Sequence, residues 1–271
     1  MSAPHPASAA ASASVRAPST RLRGITGVWW RHAVALTRVW KVAFTWFFVE
    51  PALVLLAMGM GVGRLVGTLP EHGSYAAFVT PGLIVGMAMF HAIFECAWGA
   101  FQRIQQHVME TMLTTPTTVA ELAAGEVLWG GTRAAISTLA IGGLAVLLGW
   151  LPVSGFPGVM LAAVLVGLEF GAVGLCFAAG SPTLPVLTLV FTVVATPLFF
   201  FSGSFFPIEV LPGFMQPVAW VAPLTPGVHI ARGFAQGALD TTHLAAAAYQ
   251  LFLSLAFYPL AVVLLRRRLI K

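Results

Sequence analysis

Charge is what this sequence has least of. Of its 271 residues, 8% are Asp, Glu, Lys or Arg, where a soluble domain carries about 25%. Aspartate occurs once, at Asp240, which excludes an intramembrane aspartyl protease, since that chemistry needs two. No H-E-x-x-H is present for a zinc protease. No G-x-x-x-x-G-K-[ST] is present to cradle nucleotide phosphates, so the chain does not hydrolyse nucleotide by itself. The two cysteines, Cys96 and Cys176, both lie inside apolar runs, and no disulfide framework is indicated. Residues 1–24 are Ala, Ser and Pro with scattered Arg and no apolar core, a composition that cannot order itself. No apolar stretch follows these basic residues before Trp29, so a cytoplasmic tail is expected there and not a secretory signal.

What is abundant is apolar surface: 58% of residues are hydrophobic and the mean hydropathy is +0.89. A helix crossing a bilayer core needs roughly 20 mostly apolar residues. Five stretches qualify at once: 46–67, 78–101, 127–149, 158–180 and 244–265. A sixth, 186–206, is apolar enough but runs into the broken passage FFFSGSFFPIEVLPGF. The connectors are short and rich in Gly and Pro, as turns between antiparallel helices require. Lys and Arg concentrate ahead of the first span, at Arg103 and in Arg266, Arg267, Arg268 and Lys271. The positive-inside rule then places both termini in the cytoplasm, which an even number of spans permits. The expected fold class is an all-α integral membrane protein with six transmembrane helices.

Ahead of the first span, residues 25–45 read as an amphipathic interfacial helix. Trp29, Ala33, Leu36, Trp40 and Phe44 share one face, with Arg31 and Arg38 opposite, toward anionic lipid. A plain juxtamembrane anchor and a mechanical role both fit this pattern. Gly59, Gly63 and Gly67 recur every four residues in the first span, and Gly167 and Gly171 flank Glu169 in the fourth. Such small-residue stripes let helices approach closely, within one subunit or between two copies.

Candidate chemistry is sparse. The ionisable residues at membrane depth are Glu50, Glu95, Arg133 and Glu169, with Glu121 and Glu126 near the start of the third span; such groups are expensive in lipid. His91 and Glu95 sit i, i+4, but make two ligands where a catalytic zinc needs three, so a helix-to-helix hydrogen bond is the expectation and no metal site is assigned. Glu169 is expected as a neutral carboxyl bonded across a helix interface. Ser202 and Ser204 lack a base to activate either as a nucleophile. Between spans two and three, residues 102–116 read as a short amphipathic helix. Ile104, Val108, Met112 and Leu113 form its apolar edge, Arg103, Gln106, His107 and Glu110 its polar faces, and Pro116 its end. A lipid-surface helix and a helix that fits a partner's groove are both consistent with it.

The motif ETMLTTP closing that helix resembles the coupling helix of type-2 ABC exporter permeases. Residues 196–234, TPLFFFSGSFFPIEVLPGFMQPVAWVAPLTPGVHIARGF, resemble the segment after span five in nodulation-factor export and daunorubicin-resistance-type permeases. FFVEPALVLLAMGMGVG and YAAFVTPGLIVGMAM match the same family. The resemblance implies a membrane subunit of an ATP-driven exporter of a lipid-like or amphiphilic molecule. ATP and Mg would be bound by a separate P-loop ATPase, and no cofactor by this chain. A second copy or a similar permease would be its membrane partner, alongside lipid, and no nucleic acid is expected. Gln102, Arg103, Gln106, Glu110, Met112, Leu113, Thr114 and Pro116 would form the coupling region, with Glu110, Met112, Leu113 and Thr114 touching the ATPase. Residues 205–236 would form a re-entrant helical pair in the outer leaflet. Its first helix would be 205–221, from Phe205 and Phe206 past Pro207, Glu209, Pro212 and Gly213. Its second would be 224–236, marked by Pro223 and Pro226, with Arg232 beside Glu209 at the mouth of a path. Phe199, Phe200, Phe201, Ser202 and Ser204 would line that path. A stand-alone channel or carrier would need paired broken helices in both halves, and a lipid-modifying enzyme a convergent acid–base or metal set.

Overall fold

A computed structural model describes residues 18–69 and 73–270. Residues 1–17 of the expected tail, 70–72 of the first connector and Lys271 lie outside the described residues. Six helices among them are long and apolar enough to cross a membrane: Trp40–Val66, Tyr75–Gln105, Val119–Leu147, Phe156–Gly180, Leu184–Phe201 and Thr241–Leu269.

Backbone chemistry fixes their ends. The second span starts on Ser74, whose hydroxyl accepts from the Ala77 amide at 3.3 Å. The third begins at Val119, eight residues earlier than its hydropathy suggested, with Thr118 as its N-cap. There Thr118 and Glu121 satisfy each other's backbone amides in a capping box, and this cap is the role of Glu121. Asp240 caps the sixth span in the same way. The first span is not a uniform helix: π-helical turns occupy Thr45–Val49 and Ala57–Val62.

Spans two and four are the core. Their most apolar windows are 78% and 67% buried, against 17% for spans five and six. Phe78, Leu83, Ile84, Met89 and Ile93 of span two meet Phe170 of span four and Leu224 beyond span five. Gly167 and Gly171 pack span four against span three. A Cβ added at Gly167 would collide with the Ala134 methyl, whereas one at Gly171 would make ordinary contact with the Val127 backbone and the Cys96 sulfur. The first-span glycines behave differently from a single stripe. Gly59 packs on the Trp150 ring of the same chain and Gly63 sits loosely by Tyr75. Gly67 ends the helix at φ 71°, a conformation glycine adopts without cost.

The N-terminal helix corrects its expected face. It runs from Pro18 to Arg38, taking in residues 18–24 of the expected tail, and Trp40 begins the next helix after a break at Val39. Val28 and His32 are buried. Val28 rests on Gly125, His32 stacks on Trp129 at 5.3 Å, and Trp29 Nε1 donates to Thr132 Oγ1 at 2.9 Å. Arg31, expected toward lipid, reaches the buried Glu126 at 3.5 Å.

Candidate functional site

At the end of the bundle that holds the N-terminal helix, charged residues from three elements converge. Glu126 of span three is fully buried. It accepts from Arg103 Nη2 at 2.6 Å and from Arg31 Nη2 at 3.5 Å, and its other contact is His32 Nε2 at 3.0 Å. Glu95 of span two accepts from Arg103 Nη1 at 2.9 Å and pairs with Arg133 Nη1 at 3.0 Å. The Arg133 guanidinium also lies 4.6 Å from the Phe47 ring of span one. Removing charge from water costs several kcal/mol per ion, roughly, unless each is paired and hydrogen-bonded. Here one guanidinium, Arg103, bridges two carboxylates, and the network joins the N-terminal helix to spans one, two and three.

This network explains Glu95 and Arg133 and corrects the place of Arg103. Its side chain is 13% exposed and turned inward onto Glu95 and Glu126. His91 and Glu95 do not converge. The Glu50 amide bonds to the Thr45 carbonyl five residues back, and the next donor in that register, Pro51, has no N–H. His91 Nε2 takes up the carbonyl left over, that of Trp46, at 3.2 Å. Glu169 is also a correction. It is fully buried, and both carboxyl oxygens lack a hydrogen-bond partner among the described residues; the glycines beside it make the interhelix contact.

The connector is two helices, not one. Span two continues to Gln105, His107 turns left-handed at φ 57°, and a separate helix runs Val108–Leu113. His107 Nδ1 lies 2.6 Å from Glu110 Oε2. Met109 is fully buried beneath this helix; Met112, Leu113 and Glu110 are half-buried. Gln102, Gln106, Thr114 and Pro116 are exposed. Glu110, Leu113, Thr114, Val262 and Arg266 line a groove of about 760 Å³ between this helix and the end of span six.

At the opposite end the chain after span five breaks as expected, with less helix. Pro207 and Pro212–Gly213 leave only a 3-10 turn, Ile208–Val210, and the helix Gln216–Val221 in place of 205–221. The second expected helix is present as Leu224–Gln236, with Pro223 at its N-cap and Pro226 buried in its first turn. Arg232 holds the segment together: Nη2 donates to the Gly203 carbonyl at 2.7 Å, and the guanidinium lies 4.0 Å from the Phe78 ring centre. Burial lowers its pKa to about 10, which leaves it a cation at neutral pH. Arg232 and the exposed Glu209 line one cavity of about 190 Å³ with Ser202, Trp220, His229 and His243.

The expected path residues separate. Ser202 and Ser204 are buried and bonded to each other at 2.9 Å, and Phe199 packs on Phe90 and Phe205 in the core. Phe200 and Phe201 face outward, with Phe201 near Phe206. Beside them lies a cluster composition did not flag. His229, Asp240 and His243 bring one ligand atom each within 4.8 Å of one another. The two imidazoles stack at 4.2 Å and 6°, so their in-plane lone pairs run parallel and do not converge on one ion. Asp240 and His243 are already engaged in the cap of span six. Among the described residues no convergent acid–base set accompanies these groups. Six spans, a buried ion network and a surface helix describe a multi-pass membrane protein.

The comparisons agree. The ABC-2 type transporter family matches residues 24–234, and the chain belongs to that family. It is 31% identical to "Nodulation protein J" of Rhizobium leguminosarum bv. trifolii over 90% of this chain and 93% of that one. To the protein of the same name from Neorhizobium galegae it is 30% identical, over 94% and 98%. It is 26% identical to "Inner membrane transport permease YadH" of Escherichia coli K12, over 79% and 82%.

Proposed function

We propose that this chain is the permease subunit of an ATP-driven exporter in a bacterial inner membrane, with both termini cytoplasmic. A separate P-loop ATPase, carrying ATP and Mg, docks on the helix Val108–Leu113 and its exposed flanks. A second copy, or a similar permease, completes the pathway, and the cargo is lipid-like or amphiphilic. One observation carries this reading: the half-exposed helix hangs directly from span two, the most buried span, through the single left-handed residue His107. A push on that helix has no soft loop to absorb it before Arg103, one turn into span two, which holds Glu95 and Glu126. The N-terminal helix shares that network through Arg31 and moves with it. Such a contact drives transport only if it differs between nucleotide states of the ATPase.

The test is to purify the tagged chain in mild detergent from its host and identify the proteins recovered with it. A P-loop ATPase recovered with wild type, and lost with Glu110→Ala and Leu113→Asp, is the expected result. Its absence under conditions where ABC complexes survive would remove the ATPase and the coupling role together.

A further inference from the structure

Between spans one, two and five lies a cavity of about 320 Å³ that no part of the coupling machinery uses. Its walls are aromatic: Trp46 of span one, Phe90 and Phe94 of span two, and Phe191 of span five. Trp46 meets Phe94 at 5.7 Å and Phe90 meets Phe191 at 5.7 Å, both tilted. His91 fixes the wall by bonding the Trp46 carbonyl. At the edge stands Glu50, ten residues into the 27-residue first span, about 15 Å from its start at the α-helical rise. Its side chain is exposed, and no ion pair or hydrogen bond to its carboxylate is found among the described residues.

A carboxylate at this depth, on a face that otherwise shows Trp46, Val49 and Leu53 to the surroundings, is costly in lipid. The other acid of spans one and two, Glu95, is paired twice over. Among the described residues Glu50 therefore lacks what Glu95 and Arg133 have, a counter-ion. The surrounding rings present negative π-faces, which attract cations and repel anions. A concave, mostly apolar cavity with one polar group is the usual form of a small-molecule site, and here the polar group selects positive charge.

We propose that this cavity binds the cationic head of an amphiphilic cargo, an ammonium group on a long apolar body, with Glu50 as its counter-ion. This names the cargo class and rests on the permease reading above. The apolar body lies along the exposed faces of spans one and five, where Leu53, Leu189 and Val193 are uncovered.

The test uses the purified full chain in lipid nanodiscs, without ATPase, and 12-bromododecyltrimethylammonium as probe, with bromine quenching of tryptophan fluorescence as readout. The expected result is saturable quenching that 12-bromododecanol, at equal mole fraction in the lipid, does not reproduce. Glu50→Gln weakens the apparent affinity about tenfold or more, equivalent to about 1.4 kcal/mol, and Glu50→Asp restores part of it. Saturation by the alcohol equal to that by the ammonium in wild type overturns the proposal, whatever the variants do. So does Glu50→Gln with unchanged affinity and wild-type elution. Because no ATPase enters the assay, binding here with no ATPase recovered above would sink the exporter reading and keep the site.

Discussion

Arg103 Nη2 lies 2.6 Å from Glu126 Oε2, and Arg103 Nη1 lies 2.9 Å from Glu95 Oε1. One side chain at the last turn of span two thus ties together two carboxylates on different spans. Glu126 is fully buried, so Glu126→Ala leaves Arg103 with Glu95 alone and loosens Arg31. Breaking a buried pair from one side costs about 3–5 kcal/mol. Thermal unfolding in detergent should show a loss of that size for Glu126→Ala and a comparable one for Arg103→Ala. The double variant should lose less than the sum, because the second truncation removes the charge that the first left short of a partner. Strict additivity would mean the two residues do not act as a pair.

His107 at φ 57° makes a sharper prediction about coupling. A β-branched residue in the left-handed region costs about 1–2 kcal/mol, whereas Gly and Asn adopt it readily. His107→Gly and His107→Asn both lose the contact with Glu110 yet keep the turn. They should recover wild-type amounts of the ATPase on co-purification. His107→Val should recover clearly less, since the helix Val108–Leu113 is then mis-aimed. Equal loss in all three would assign the effect to the His107–Glu110 contact in place of the turn.

The spans were legible because lipid leaves hydropathy little freedom: a segment of about 20 apolar residues has no other way to satisfy its backbone. Proline positions likewise announced the broken passage after span five. The ion network was not legible. Glu95 meets Arg133 and Arg31 meets Glu126 across wide sequence separations, and only packing brings them together. Within one span, Arg103 follows Glu95 by eight residues, about two turns on the same face, and that spacing was the available clue. The left-handed turn at His107 had no signal, since neither Gly nor Asn marks it. The N-terminal helix misled for a physical reason. Its Trp-rich face suits an interface, but the smaller Val28 fits the Gly125 notch that a tryptophan could not enter.

Close approach of spans three and four depends on side-chain absence at one point. A methyl added at Gly167 meets the Ala134 methyl. Overpacking a tight contact costs about 1–3 kcal/mol, and Gly167→Ala should lower thermal stability accordingly. Ala134→Gly in the same chain removes the opposing methyl and should recover a good part of the loss, despite the cost of about 1 kcal/mol for a glycine in a helix. Unchanged melting for Gly167→Ala alone would show that the two helices separate freely.

The opposite end of the bundle should respond to acid through His229. Burial first, then the neighbouring His243 and Arg232, hold its pKa below the ordinary value, against the smaller opposing pull of Asp240 and Glu209. Asp240 is itself held well below the usual carboxylate range by hydrogen bonds from Thr242 and His243, so it keeps its charge in mild acid. A His with a depressed folded pKa contributes stability that is fully present above its unfolded value of about 6.5. That contribution is lost as pH falls through the folded value, because the unfolded chain takes the proton first. In the fold, protonation forces a cation against Arg232 and spoils the stack on His243, which lies 4.2 Å away. Hydrogen exchange across Leu224–Gln236 should therefore quicken as pH falls below about 6.5, after correction for intrinsic exchange rates. His229→Gln keeps a side chain able to bond Thr242 Oγ1, the present partner at 3.0 Å, and cannot be protonated. It should flatten the response, and a response of the same size in that variant would move the titrating group elsewhere.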